Sequence, residues 1–187
     1  MLKMTSNSRL VHIRDNAEKI AFQRNSWIDR NRYFHKSDWD YLRLIVPEAA
    51  RVLEVGCGTG QLLNALEPKF GVGIDLSESM VERARKAYPE MTFHVGDAQN
   101  PGLFKKLDGP FDYIILADTI GFLDDFQVAL DNLQLVSHPQ TRLIIAYYSV
   151  LWRPMVRMAS VLGLVMPSPE RNWLSLRDIA DILTLAG

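Results

Sequence analysis

Val52-Leu53-Glu54-Val55-Gly56-Cys57-Gly58-Thr59-Gly60-Gln61-Leu62-Leu63 is the stretch on which the fold turns. It reads as an apolar strand, a turn with glycine at every second position, and the start of a helix. Glycines at 56, 58 and 60 remove Cβ atoms, so backbone and ligand can approach closely and positive φ angles cost little. A strand that passes through glycines into a helix is the opening unit of an open α/β sheet, and such sheets bind ligands outside the carboxyl ends of their strands. The turn alone points to a nucleotide-like ligand without saying which.

Downstream, short β-rich runs alternate with helical segments. The runs are Arg51 to Val55, Gly71 to Ile74, Thr92 to Val95, Phe111 to Ala117 and Arg142 to Tyr148. Their continuous apolar character predicts strands covered on both faces, as in a parallel sheet. Helices are expected to start near Gly60, Ser77, Pro101 and Asp124, each with a polar or proline start signal. Further helices are expected over 151–164, interrupted only by Pro154, and over 175–186. Upstream, Asn16 to about Pro47 is patterned as helix, with Ile20, Trp27, Tyr33, Phe34, Trp39, Leu42 and Ile45 as anchors. The expected organisation is a helical lead-in over 1–48 and a Rossmann-like, doubly wound, mostly parallel α/β core over 49–187.

Acids stand at the ends of the expected strands. Glu54 precedes the glycine turn. Asp75 closes the second strand, nineteen residues after Gly56, where a carboxylate can accept both ribose hydroxyls of a nucleoside; the alternative is a helix N-cap that binds nothing. Asp97 closes the third strand, placed either to accept from an exocyclic adenine amine or to bond its own backbone in a turn. A dinucleotide turn usually reads Gly-x-Gly-x-x-Gly, to seat a pyrophosphate on a helix N-terminus. Here the third glycine comes one place early, and Glu54 sets a negative charge beside the turn, which suits an ammonium and a sulfonium better than a phosphate.

With these motifs in order, residues 51–148 resemble the class I S-adenosylmethionine-dependent methyltransferases. The resemblance implies that Glu54 helps hold the donor's amino group and that Gly56, Cys57, Gly58 and Gly60 lie against its methionine part and ribose. It implies Asp75 on the ribose with Leu76 beside the adenine, Asp97 and Ala98 reading the adenine, and backbone contact near Ala117 and Asp118 from Asp112-Tyr113-Ile114-Ile115-Leu116-Ala117-Asp118-Thr119. S-adenosylmethionine is then the cosubstrate and S-adenosylhomocysteine the product. Tyr33 is a candidate for the donor carboxylate, and His35 and Asp118 are candidate general bases, with the catalytic residues otherwise unassigned. Cys57 reads as a small neutral spacer. Tyr147-Tyr148-Ser149-Val150-Leu151-Trp152, Pro169-Glu170-Arg171-Asn172-Trp173-Leu174-Ser175, Asn31-Arg32-Tyr33-Phe34-His35 and Asp118-Thr119-Ile120-Gly121 also resemble the methyltransferase domain of bacterial chains that continue into a glycosyltransferase. That implies a sugar or glycolipid precursor as acceptor, or another small molecule. Trp152, Met155, Met158, Met166 and Trp173 are candidates to line the acceptor pocket, with core packing as the alternative. Two other functions fit the pattern less well: a donor-binding module without transfer, and a nicotinamide-dependent reductase.

Composition narrows the classes. With 21 basic and 22 acidic residues among 187, net charge gives no reason to expect nucleic acid. Residues 1–36 hold eight basic side chains (Lys3, Arg9, Arg14, Lys19, Arg24, Arg30, Arg32, Lys36) against three acids, a local balance of +5 that suits a solvated helical face or contact with an anionic substrate. The single cysteine, Cys57, excludes an intrachain disulfide and fits a reducing cytoplasm. His12, His35, His94 and His138 stand too far apart for a metal motif, and no apolar run is long enough to insert into a bilayer. Class I domains usually end in an antiparallel pair, the sixth and seventh strands. The sequence stops at Gly187 where the sixth should begin, so strands six and seven are expected to be missing and the uncovered sheet edge to be a route to a dimer.

Overall fold

Every residue from Val52 to Val55 is buried, including the charged Glu54, because this strand has a neighbour on each side and helices on both faces. The structure, a computed structural model, describes residues 6–147, 150–164, 172 and 174–186. Helices α1 (Ser6–Ile20), α2 (Arg24–Arg30) and α3 (Arg32–Ile45) precede β1 (Arg51–Val55), α4 (Gln61–Leu66), β2 (Phe70–Asp75), α5 (Glu78–Ala87) and β3 (Thr92–Val95). The chain continues through α6 (Pro101–Phe104), β4 (Tyr113–Ala117), α7 (Phe126–Gln134), β5 (Arg142–Ala146), α8 (Arg153–Val161) and α9 (Leu176–Ala186). Among the described residues the sheet has five strands in the order β3-β2-β1-β4-β5, and every pairing is parallel. This is the expected doubly wound, Rossmann-like α/β architecture.

Alternation along the strands divides the core in two. Leu53, Val55, Val72, Ile74, Ile114 and Leu116 face one layer, closed by Leu103 and Phe104 of α6, Ala129, Leu130 and Leu133 of α7, and Ile179 of α9. Val52, Tyr113 and Ile115 face the other, against Leu42 of α3, Leu62, Leu63 and Leu66 of α4, and Val81 and Ala84 of α5. Each such aliphatic side chain contributes roughly 1.5–3 kcal/mol on full burial, so the two layers and not helix propensity hold the sheet. The caps follow the sequence: Ser77 Oγ accepts from the Met80 N–H at 3.1 Å, and Asn100 Oδ1 accepts from the Gly102 N–H at 2.9 Å ahead of Pro101.

Several boundaries differ from expectation. The lead-in begins at Ser6, not Asn16, and is three helices. Of residues 9–15 only Ile13 is buried; this part of α1 is held by Arg9, whose guanidinium pairs with the Asp124 carboxylate and donates to the Gly121 carbonyl at 3.1 Å. A contact across more than a hundred residues leaves no periodicity to read. The cap of α7 is Asp125, which accepts from the Val128 N–H at 3.1 Å, and not Asp124, which Arg9 occupies. The fourth strand starts at Tyr113 because the Phe111 N–H is taken by the Val136 carbonyl at 2.9 Å. The fifth ends at Ala146, and Tyr148 lies outside the described residues. No described helix is long and apolar enough to cross a membrane.

Candidate functional site

From β1 the chain winds to β2 and β3 on one side and then returns to place β4 on the other, so the carboxyl ends of β1 and β4 open a crevice at the point where the winding reverses. The glycine turn sits there. Gly56 has φ +76°, and a Cβ on it would stand 2.1 Å from Thr119 Oγ1, at the end of β4. That hydroxyl points to the Val55 carbonyl at 2.8 Å and the Ala117 carbonyl at 3.0 Å, stitching the two strand ends together. Gly56 is thus required twice, for its dihedral and for the contact.

Around this turn the structure assembles the acids. Glu54 is 3% exposed and its carboxylate has one hydrogen bond among the described residues, accepted from the Leu63 N–H at 3.1 Å at the start of α4. Burial pushes its pKa up to about 8, against the Leu63 hydrogen bond, with the negative charge of Asp75 adding to the rise and Arg24 opposing it. Asp75 at the end of β2 spans the turn: Oδ2 accepts from the Gly58 N–H at 2.8 Å and Oδ1 from the Ser77 N–H at 2.9 Å. Enclosure raises its pKa against those two hydrogen bonds. Asp75 is not the N-cap of α5, because Ser77 holds that place. An ionised carboxylate offers about four lone-pair sites, so two remain for a ligand.

Cys57 is buried against Gly73, where a Cβ would meet its Sγ at 2.7 Å, and burial raises its pKa well above the usual thiol value. A thiol held neutral is a spacer and not a nucleophile. Gly58, at φ +51°, is differently placed: it is buried, and a Cβ on it would meet only Arg24 Nε, at 3.8 Å, so Arg24 is the side chain that stands over it. Gly60 caps α4 at φ +77°, close-packed on Phe93. Leu76 lies partly exposed beside Asp75.

Asp97 realises the turn alternative: Oδ1 accepts from the Gln99 N–H at 2.9 Å. The same side chain stays partly exposed at the end of β3. Ala98 is buried and its carbonyl accepts from Asn132 Nδ2 of α7 at 3.0 Å. Across the crevice, Ala117 and Asp118 close β4; Asp118 has φ +57° and its N–H bonds the Ala146 carbonyl at 2.8 Å.

The lead-in helices close over the turn through residues that the sequence motifs do not mark. Asn25 Oδ1 accepts from Thr59 Oγ1 at 2.7 Å, and Glu18 accepts from the Ser79 N–H at 3.2 Å on the first turn of α5. Arg24 opens α2 above Gly58, and its charge acts on Glu54, Asp75 and His35. His35 is half-buried between Phe34 and Trp39, with its pKa lowered by burial and then by Arg24, so the imidazole is neutral at pH 7. Tyr33 is 88% exposed on α3 and is not brought into the cluster. The acceptor-lining candidates Trp152, Met155 and Met158 are 52, 55 and 61% exposed on and before α8, which excludes the core alternative for them; Met166 and Trp173 lie outside the described residues. No grouping of His, Cys, Asp and Glu among the described residues can hold a metal ion.

A five-stranded parallel sheet in this order, with an acid, three glycines and a second acid around the first crossover, defines the class I methyltransferase fold. Comparison agrees: residues 52–140 match the family described as Methyltransferase domain. The fold is similar to that of an S-adenosylmethionine-dependent methyltransferase from Thermotoga maritima, described as a possible histamine N-methyltransferase. The TM-score is 0.75 and the identity 24%, covering 94% of this chain and 81% of that one. It is also similar to magnesium protoporphyrin IX methyltransferase from Synechocystis PCC 6803, solved with bound S-adenosylhomocysteine (TM-score 0.72, 21% identity, 95% and 88% covered). A dTDP-3-amino-3,4,6-trideoxy-alpha-D-glucopyranose N,N-dimethyltransferase from Streptomyces venezuelae is 36% identical over 86 residues, 45% of this chain and 35% of that protein. The chain spans 33 to 39% of the length of the first curated relatives it matches.

Proposed function

We propose that this chain binds S-adenosylmethionine in the β1–β4 crevice and transfers its methyl group to a small-molecule acceptor, with an amino sugar or related sugar precursor as the class to test first. The observation that carries the reading is Glu54: a buried carboxylate with one hydrogen bond among the described residues, which an ammonium would complete. Asp75 has lone pairs left for two ribose hydroxyls, and Gly58, with no side chain of its own, lets the chain between them pass close to the turn. The sugar class is supported by the likeness to the Streptomyces amino-sugar enzyme.

When bound, the sulfonium supplies an activated methyl group for in-line displacement. The residues of this chain position and shield. Glu54 and Asp75 fix the two ends of the donor, and the stitched Gly56–Thr119 pair holds the turn rigid, so alignment can account for about 7–11 kcal/mol of barrier. A neutral amine acceptor needs no base before attack, only a route for the proton it sheds afterwards. A hydroxyl acceptor needs a base earlier, and the neutral His35 and the crevice-mouth Asp118 are the candidates for it.

The test is calorimetric binding of S-adenosylhomocysteine to the wild type and to Asp75→Ala, with Asp75→Asn as a shape-preserving companion. Micromolar wild-type binding, weakened at least about thirtyfold in Asp75→Ala by loss of charge-assisted hydrogen bonds, supports the site. Absence of wild-type binding overturns it. Binding without turnover on amino-sugar, hydroxyl or carboxylate acceptors would leave a binding module instead.

A further inference from the structure

We propose that Arg24 holds the α-carboxylate of the donor's amino-acid part, completing a charge pattern in which each end of a zwitterion meets its opposite. The inference rests on the donor reading above and assigns a part of the ligand that the acids of the β-strand ends cannot take.

Those acids create the need. Asp75 spans the glycine turn and Glu54 is buried in β1; once the donor's ammonium draws Glu54 into its ionised form, a carboxylate brought in with that ammonium would meet two like charges. Some cation must face them, and among the described residues Arg24 is the one whose charge reaches both. Its Nε lies 3.8 Å from where a Cβ on Gly58 would stand, so the guanidinium stands over the same glycine turn that the chain between ammonium and sulfur must cross.

Arg24 is also set apart from the other lead-in arginines. Arg9 is spent on Asp124 and the Gly121 carbonyl, and Arg30 lies over the Trp27 ring at 4.8 Å. Arg24 is half-buried and its side chain makes no hydrogen bond or ion pair among the described residues, so its five N–H donors are left for the crevice. Nor is it loosely placed. The next residue, Asn25, is hydrogen-bonded to Thr59 at 2.7 Å, and Ile28 one turn on is buried, so the start of α2 is pinned to the glycine turn itself. A guanidinium fork also matches a carboxylate in two parallel hydrogen bonds, which the single hydroxyl of the exposed Tyr33 cannot do.

Two probes separate this role from a structural one: S-adenosylhomocysteine, which carries the amino-acid part, and 5′-methylthioadenosine, which lacks it. Calorimetry is run on wild type, Arg24→Gln and Arg24→Lys, with thermal unfolding of each. The expected result is that Arg24→Gln weakens S-adenosylhomocysteine about ten- to a hundredfold, leaves methylthioadenosine within about twofold, and is partly rescued in Arg24→Lys. Unchanged S-adenosylhomocysteine affinity in Arg24→Gln overturns the assignment. So does an equal loss for both probes, which would mark Arg24 as a support of the turn. If wild type binds methylthioadenosine but S-adenosylhomocysteine no better, Arg24 and Glu54 both lose their roles while the nucleoside site stands. If it binds neither, the donor reading itself fails.

Discussion

At the residue scale two positions make sharp predictions. Gly56 combines φ +76° with a 2.1 Å approach of its absent Cβ to Thr119 Oγ1. Gly56→Ala therefore forces both a left-handed alanine and an overpacked contact, and together these should cost about 2–4 kcal/mol, read as a lower denaturant midpoint with an unchanged slope. A loss below about 1 kcal/mol would show that the strand ends can part freely. Glu54 predicts a pH dependence. Its folded pKa of about 8 lies above the ordinary value of 4.5, so between these the folded chain holds a proton that the unfolded chain has released. The contribution of Glu54 to stability is complete below that window and is lost as pH rises through it. Wild type should lose melting temperature from about pH 5 to about pH 8, and Glu54→Gln, which cannot ionise, should lose less. Parallel profiles would mean that Glu54 is already ionised in the free protein.

Elements link these residues, and here one hydrogen bond can be isolated. Asn132 of α7 is buried and donates to the Ala98 carbonyl at 3.0 Å, tying the helix to the loop after β3. Asn132→Leu keeps the volume roughly but strands that carbonyl, at a cost of about 1–3 kcal/mol and a melting temperature lower by roughly 3–10 °C. The five strands and the helices between them were legible because both faces of the sheet are covered, so strands such as Tyr113–Ala117 are apolar throughout and the helices carry their caps in sequence at Ser77 and Asn100. The strand-end acids were legible for a related reason: Glu54, Asp75 and Asp97 each sit within or just beyond an apolar run. The start of α1 was not, since Arg9 holds it from the far side of the chain. Neither was Arg24, which lies thirty residues before Glu54 in a run of basic side chains that look alike. Only the fold distinguishes it, by setting α2 over Gly58.

For the whole molecule, the lead-in helices and the sheet form the two walls of one crevice, joined by the Arg9–Asp124, Glu18–Ser79 and Asn25–Thr59 contacts. A ligand held by the floor alone would tighten only the strand ends; a ligand held by both walls tightens them together. Saturating S-adenosylhomocysteine at about 100 times its Kd should add about 2.7 kcal/mol to folding stability, since only the folded state binds. Amide hydrogen exchange locates where that stabilisation is felt. Protection should rise at Gly56–Gly60, at Asp75–Ser77 and, remote in sequence, along Arg24–Arg30, while α8, which has no buried residue, should exchange as before. Protection confined to the strand ends, with Arg24–Arg30 unchanged, would separate the lead-in from the donor site. Because Arg24 reaches the crevice only through the placement of α2, the same footprint in Arg24→Gln should keep its strand-end component and lose most of its α2 component, giving a measure of the second wall that does not depend on turnover.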